Sequence, residues 1–371
     1  MTKQKKNLKT RFENSIFSQG EFYIKLSLTI LLAIIFIIIF VTQNGYRFFQ
    51  HTAFVDNLKG KEFQVHFINV ENGDAILIKL PSDQVMMIDT GDEKYEKEVT
   101  SYVDQFLDSE GLEKIDYLFL THPDSDHVGS AVSILNKFEV VNLYRPKIYS
   151  QNEFENIKNP QSYQISDTEI YSQVIDKAYE KNCNISFNEA GIKLNFGSCV
   201  VEFLAPLHNE YSFTNNYSAV ILVTYQSNRF LFMGDAPISV EEELIRRYGE
   251  KLQADVLKVG HHGSYTSTSQ SFINVVKPQY AVLSCKGSEY FPHKDVVEIL
   301  NKSNVDIFST AVRGSFAMTL QEGKIIVENA EYKENYIAII FTVFLVFIFI
   351  LWTIPFKSLI PANLKAKKVN K

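Results

Sequence analysis

Four metal-capable side chains, His122, Asp124, Asp126 and His127, fall within six residues directly after the apolar stretch 115–120. A short uninterrupted apolar run reads as a buried strand. A tight loop at a strand end can aim imidazoles and carboxylates at one point, where divalent cations fit between them. The chain is therefore expected to fold so that strand ends carry its chemistry.

The chain has 371 residues, 46% hydrophobic and 22% charged, enough to bury one or two full cores, which excludes a disordered or fibrous protein. Its three cysteines, Cys183, Cys199 and Cys285, have no CxxC spacing, so neither a zinc ribbon nor a disulfide framework is indicated. They read as buried apolar residues.

Two charge-free apolar runs, 26–41 and 336–354, read as an N-terminal and a C-terminal transmembrane helix. The second would reach about 28 Å at about 1.5 Å per residue. The first reaches a similar length if residues 22–25 join it, with Lys25 snorkelling to the headgroups. Residues 42–46 carry no small-x-small processing site, so the first run is read as an uncleaved anchor. Basic residues crowd the outer flanks, among them Lys3, Lys5, Lys6, Lys9 and Arg11 at one end and Lys365, Lys367, Lys368 and Lys371 at the other. By the positive-inside rule both termini would be cytoplasmic and the middle of the chain extracytoplasmic, at a cell membrane whose lipid bilayer is a partner. The whole chain formally carries -6, and removing its basic tails leaves about 15 net negative charges on the remainder. Such a surface disfavours a long polyanion unless cations at a site offset it.

The expected organisation is a basic tail at 1–25, a span at 26–41, a linker at 42–61, a folded domain at 62–330, a span at 336–354 and a basic tail at 355–371. Within the domain, strands are predicted at 63–68, 75–80, 85–88, 115–120, 200–204, 219–225, 229–233, 255–258 and 280–284. Helices are predicted at 94–107, 128–137, 168–181, 238–248, 271–276 and 294–302. Residues 146–167 are polar and aperiodic, predicting a long loop. This succession suggests an α/β sandwich of two face-to-face sheets with helices outside.

Further candidates stand at predicted strand ends: Asp235 in Phe232-Met233-Gly234-Asp235, and His261-His262 in Lys258-Val259-Gly260-His261-His262-Gly263-Ser264. With the first cluster they make a full dinuclear set. Water held by divalent cations loses a proton near neutral pH and becomes a strong nucleophile toward phosphorus or a carbonyl.

The segments Ile88-Asp89-Thr90-Gly91, Thr121-His122-Pro123-Asp124-Ser125-Asp126-His127-Val128-Gly129, Met233-Gly234-Asp235 and Gly260-His261-His262-Gly263-Ser264 resemble the metallo-β-lactamase superfamily. More narrowly they resemble the metallo-hydrolase domain of the ComEC/Rec2-type competence proteins, with Asp124 where most superfamily members have histidine. The segments 69–75 and 277–284, the latter leading to Phe291-Pro292-His293, add to the likeness, which covers roughly residues 62–330.

The resemblance implies an αββα sandwich binding two divalent metal ions, Zn2+ or Mn2+. It implies His122 and Asp124 on one ion, Asp126, His127 and one of His261 and His262 on the other, and Asp235 bridging. His262 is preferred, because it precedes a glycine. Asp89 would fix the loop by hydrogen bonds, and Asp126 and His293 are the catalytic candidates, His293 as a proton donor or phosphate clamp. The superfamily's third histidine before the Gly-Asp strand has no clear counterpart. His208 is near, but Asn215-Asn216-Tyr217-Ser218 stands at that place, leaving an open position or an oxygen ligand. Lys258, Lys286, Lys294 and Arg313 flank the site as solvated or phosphate-facing cations, and His51 and His66 receive no role.

The expected function is that of a membrane-anchored, extracytoplasmic, metal-dependent phosphodiesterase, with DNA as the substrate implied by resemblance and a separate membrane channel as a partner. The alternatives are hydrolysis of a small phosphoester, such as a nucleotide or choline phosphate, and a metal-free membrane-tethered binding module.

Overall fold

A computed structural model describes residues 23–34, 55–156, 164–165, 168–287, 290–329, 344–346 and 348. The chain divides into two compact units, Phe48–Ala330 and a second made of Met1–Arg47 with Glu331–Lys371.

The membrane placement expected from the sequence does not stand. Among the described residues no helix is long and apolar enough to cross a membrane. Residues 23–34 are helical. The rest of the first run, and all of the second but residues 344–346 and 348, lie outside the described residues. The orientation drawn from the basic flanks presupposed two spans and falls with them.

Unit 48–330 is an α/β sandwich. One sheet has eight strands, in spatial order β17 (Lys324–Asn329), β16 (Phe316–Gln321), β1 (Gln64–Phe67), β2 (Ala75–Lys79), β3 (Val85–Thr90), β4 (Lys114–Phe119), β5 (Glu139–Arg145) and β8 (Asn184–Phe187). The other has seven: β15 (Asp306–Ser309), β14 (Tyr280–Leu283), β13 (Val256–Lys258), β12 (Asn228–Phe232), β11 (Val220–Tyr225), β10 (Cys199–Ala205) and β9 (Lys193–Phe196). A small pair, β6 (Ile148–Tyr149) with β7 (Gln164–Ile165), stands apart.

Both faces of each central strand are apolar, because each sheet packs against the other on one side and against helices on the other. In β2, Ile76 and Ile78 join Phe67, Phe203, Phe230 and Phe232 between the sheets. Leu77, on the opposite face, meets Val99, Val103 and Phe106 of the helix Glu96–Glu110. That helix buries Val99, Tyr102, Val103, Phe106 and Leu107, the spacing of one helical face, and stops where Gly111 turns left-handed at φ 69°. Leu231 and Leu257 cover the outer face of the seven-stranded sheet with Leu244 and Phe272. Each such side chain, fully buried, contributes about 1.5–3 kcal/mol.

Several segments differ from the expectation. Val55 and Leu58, in the stretch read as linker, are buried in the core. The stretch read as a loop at 146–167 contains β6, the helix Gln151–Asn156 and β7, with 157–163 and 166–167 outside the described residues. Arg145 organises its start: the buried guanidinium pairs with Glu153, donates to the Ile148 carbonyl at 2.7 Å and lies over Phe187.

Strands β3, β4, β5 and β8 run parallel to one another, as do β12 to β15. Two sets of carboxyl-terminal strand ends result, where open α/β sheets place their ligands.

Candidate metal centre

Four strand ends deliver the side chains. Asp89 lies in β3; His122 and Asp124 occupy the loop after β4; Asp126 and His127 begin the short helix Ser125–Val128; Asp235 follows β12; His261 and His262 follow β13. The backbone is bent to aim them: Asp89, His261 and His262 take left-handed φ of 55°, 46° and 53°. For a non-glycine residue this costs on the order of 1–2 kcal/mol each, sustained by the surrounding contacts. One such contact is the His261 N–H donating to the Gly234 carbonyl at 3.0 Å.

Hydrogen bonds fix which nitrogen of each imidazole is free. Asp89 accepts through Oδ1 from the Thr121 N–H at 2.7 Å and through Oδ2 from the Thr121 hydroxyl at 2.6 Å and from His127 Nδ1 at 2.7 Å. With its hydroxyl proton given to Asp89, Thr121 accepts from His122 Nδ1 at 3.0 Å. The Ser284 carbonyl accepts from His262 Nδ1 at 3.0 Å. All three rings therefore present Nε2 lone pairs to one cavity, the tautomer that metal-binding histidines adopt when an outer partner holds the other nitrogen.

The Nε2 atoms converge on Asp235: His127 at 3.1 Å from Oδ1, and His262 and His122 at 3.6 and 3.8 Å from Oδ2. His127 and His262 face each other at 3.3 Å, and Asp126 Oδ2 lies 3.3 Å from His262. His122 Nε2 and Asp235 Oδ1 are buried without a hydrogen-bond partner. Apposed lone pairs and orphaned donor atoms are what a cation between them would satisfy, so the residues fit metal ions. Among the described residues three overlapping groups have the spacing for it: His122 with His127 and Asp235, Asp126 with His127 and His262, and Asp74 with Asp89 and His127.

The electrostatics point the same way. Burial pushes the His122 imidazole down to about 4. For His127 burial acts downward too, but the charges of Asp235 and Asp89 outweigh it and raise the ring well above its ordinary value. Burial opposes ionisation of Asp235, yet His262 and His127 hold it well below the usual carboxylate range. Burial, with Asp126 adding to it, pushes Asp124 up. The carboxylates draw positive charge into the cluster.

Of the expected residues, His122, Asp126, His127, Asp235 and His262 meet at one point. Asp124 stands at the rim, its Oδ2 3.7 Å from His122 Nε2. His261 is also peripheral, more exposed than His262, with Nε2 3.7 Å from Asp235 and Nδ1 3.0 Å from the Thr266 hydroxyl. His293 caps the helix Lys294–Lys302, accepting from the Asp295 N–H, and its ring lies 5.5 Å from that of Tyr265. His208 pairs with Glu243 at 3.6 Å on the surface. At the place of the expected third histidine, the Ser218 hydroxyl accepts from the Asp235 N–H at 3.1 Å, and the Thr214 side chain bonds Asp124.

Lys258 is not a solvated or phosphate-facing cation but is fully buried, paired with Asp74 at 2.9 Å. Arg313 lies over the Phe308 ring, and Lys286 pairs with Glu71 at 3.0 Å. Sequence reasoning assigned no role to Asp74, Thr121 or the Ser284 carbonyl. Asp74 did stand inside a segment that carries the resemblance, but backbone carbonyls leave no mark in side-chain identity.

Residues 68–287 match the sequence family described as the metallo-beta-lactamase superfamily. The chain belongs to that superfamily. The metallo-beta-lactamase domain is also similar to three curated proteins. ComE operon protein 3 of Bacillus subtilis is 27% identical over 68% of this chain and 32% of its own length. Recombination protein 2 of Haemophilus influenzae is 29% identical over 73% of this chain and 30% of its own. Competence protein ComA of Neisseria gonorrhoeae is 28% identical over 62% and 29%. The chain thus matches about a third of the length of these relatives. Superfamily membership and the donor cluster point to a metal-dependent hydrolase.

Proposed function

We propose that this chain hydrolyses phosphodiesters, with nucleic acid as its substrate class, using two divalent ions of the Zn2+ or Mn2+ kind. The observation that carries the reading is the convergence of three fixed Nε2 lone pairs on Asp235, all within 3.8 Å. Relatives named for competence and recombination support the choice of nucleic acid.

In this reading His122 with Asp124 and His127 with Asp126 and His262 form two adjoining sets, and Asp235 lies between them. Ions held there supply Lewis-acid polarisation of a phosphoryl oxygen and an acidified water. Asp89 and Thr121 set ring orientation. Asp126, one-third exposed at its side chain, is the carboxylate that both joins the cluster and faces solvent. In this reading His293, whose N–H donates to the Gly263 carbonyl at 2.8 Å, would donate a proton to a departing alkoxide or bind a phosphate oxygen.

A second reading, hydrolysis of a small phosphoester, is favoured by the state of two lysines near the site and by the negative formal charge. Lys258 is buried, Lys286 is paired with Glu71, and the chain formally carries -6. The test incubates the full-length chain with Mn2+ or Zn2+ against single-stranded DNA, double-stranded DNA and bis-p-nitrophenyl phosphate, with Asp126→Ala as control. Cleavage unaffected by Asp126→Ala rejects the mechanism. A steep fall of DNA affinity with salt supports the polyanion, and a flat response supports the small phosphoester.

A further inference from the structure

Two buried charges stand behind the donor cluster and take no part in the hydrolytic reading. Asp74 immediately precedes β2 of the eight-stranded sheet, and Lys258 ends β13 of the seven-stranded sheet. They are 1% and 0% exposed, and their side chains meet across the sandwich at 2.9 Å. Lys258 Nζ also donates to the Val259 carbonyl at 2.8 Å, three residues before His262. On the other side, the Asp74 N–H donates to the Asp126 carbonyl at 3.3 Å, and its carbonyl accepts from the Gly91 N–H at 2.7 Å. One ion pair thus ties the loop carrying Asp126 to the strand leading to His262.

Apolar side chains would join two sheets at least as well, because burying a charged pair costs much of what its attraction returns. The second oxygen of Asp74 shows what the charge is for. Oδ2 is held by Lys258, whereas Oδ1 is buried without a hydrogen-bond partner and lies 3.8 Å from Nδ1 of His262. A cation on Nε2 withdraws electrons and leaves positive charge at the Nδ1 side of the ring. An unscreened carboxylate oxygen there stabilises that charge strongly in a dry interior. The ammonium of Lys258 keeps the pair neutral as a whole, so it acts on His262 as a dipole with its negative end toward the ring.

We propose that Asp74 and Lys258 are a positioning pair for the metal centre, holding the two ligand sets in register across the sandwich and strengthening His262 as a ligand. The proposal rests on the metal-site reading. The test titrates the full-length wild type, Asp74→Glu and the double variant Asp74→Asn/Lys258→Gln with Mn2+ and with Zn2+ by calorimetry, alongside metal-free thermal melts. The double variant keeps a neutral hydrogen-bonding pair in the same space, and Asp74→Glu keeps the charge but displaces it. The expected result is metal affinity weakened about 10–100-fold in a variant that retains the wild-type melt. Wild-type affinity in either folded variant overturns the proposal. Loss of the melting transition in both overturns it in favour of a purely structural pair. Failure of the wild type to take up either metal instead overturns the metal-site reading itself.

Discussion

The Nε2 atoms of His127 and His262 face each other at 3.3 Å although the two residues come from different sheets. Each ring has its other nitrogen committed, His127 to Asp89 and His262 to the Ser284 carbonyl. Neither ring can turn away without breaking a buried hydrogen bond, so the site is built before any ligand arrives. Asp89→Asn would set amide hydrogens against the donors it now accepts. The expected outcome is a loss of about 10–100-fold in metal affinity with the donors themselves intact, read by calorimetry.

Removal of metal should be visible in stability as well as activity. Chelation is expected to abolish hydrolysis and lower the melting temperature. Adding back Mn2+ or Zn2+ at 100 times its Kd should return about 2.7 kcal/mol, since the ion binds the folded state alone. A melt that does not move on metal addition would contradict the convergence of donors.

Gly73 is fixed by close approach. Its φ is 140°, and a Cβ there would lie 2.4 Å from the Asp126 carbonyl oxygen. Gly73→Ala must therefore push the loop bearing Asp126 and His127. The expected result is a fall in kcat/KM of about 100-fold, the scale of a displacement near 1 Å at reacting groups. The comparison is with Ser82→Ala, on an exposed turn, which should leave the rate unchanged.

Acid sensitivity is expected from a residue remote from catalysis. His66 is fully buried in β1, accepts from the Tyr102 hydroxyl at 2.8 Å and donates to Gln64 Oε1 at 2.9 Å, so the neutral ring is satisfied. Burial pushes its pKa down to about 3 from 6.5. In the window between these values the unfolded chain binds a proton that the folded chain refuses. Stability contributed by His66 is therefore complete above pH about 6.5 and falls by up to about 1.4 kcal/mol per unit as pH drops toward 3. Urea unfolding of His66→Gln at pH 7, 6 and 5 should show a shallower slope than the wild type. Parallel slopes would refute the assignment.

Central strands and donor loops were legible in the sequence because burial on both faces writes continuous apolar runs, and each donor motif follows one. The edges were not. Strand β9 is largely accessible and reads Lys-Leu-Asn-Phe, without a run to notice. The hairpin of β16 and β17 turns on Glu322 and Gly323, at φ 52° and 75°, a left-handed turn made without the usual Asn-Gly signal. Lys258 was misplaced for a related reason: a lysine ending a strand reads as solvated, and only its partner from the other sheet, Asp74, shows otherwise.

The donors are shared between the two leaves of the sandwich, His122, Asp126 and His127 on one and Asp235 and His262 on the other. An ion seated among them would bridge two leaves already packed together, so the free energy of its binding would add to the cohesion of the sandwich. A chain cut within the segment between β5 and β8 would leave two fragments, each with half a nest, and a bound ion would add to the apolar seam that draws them together.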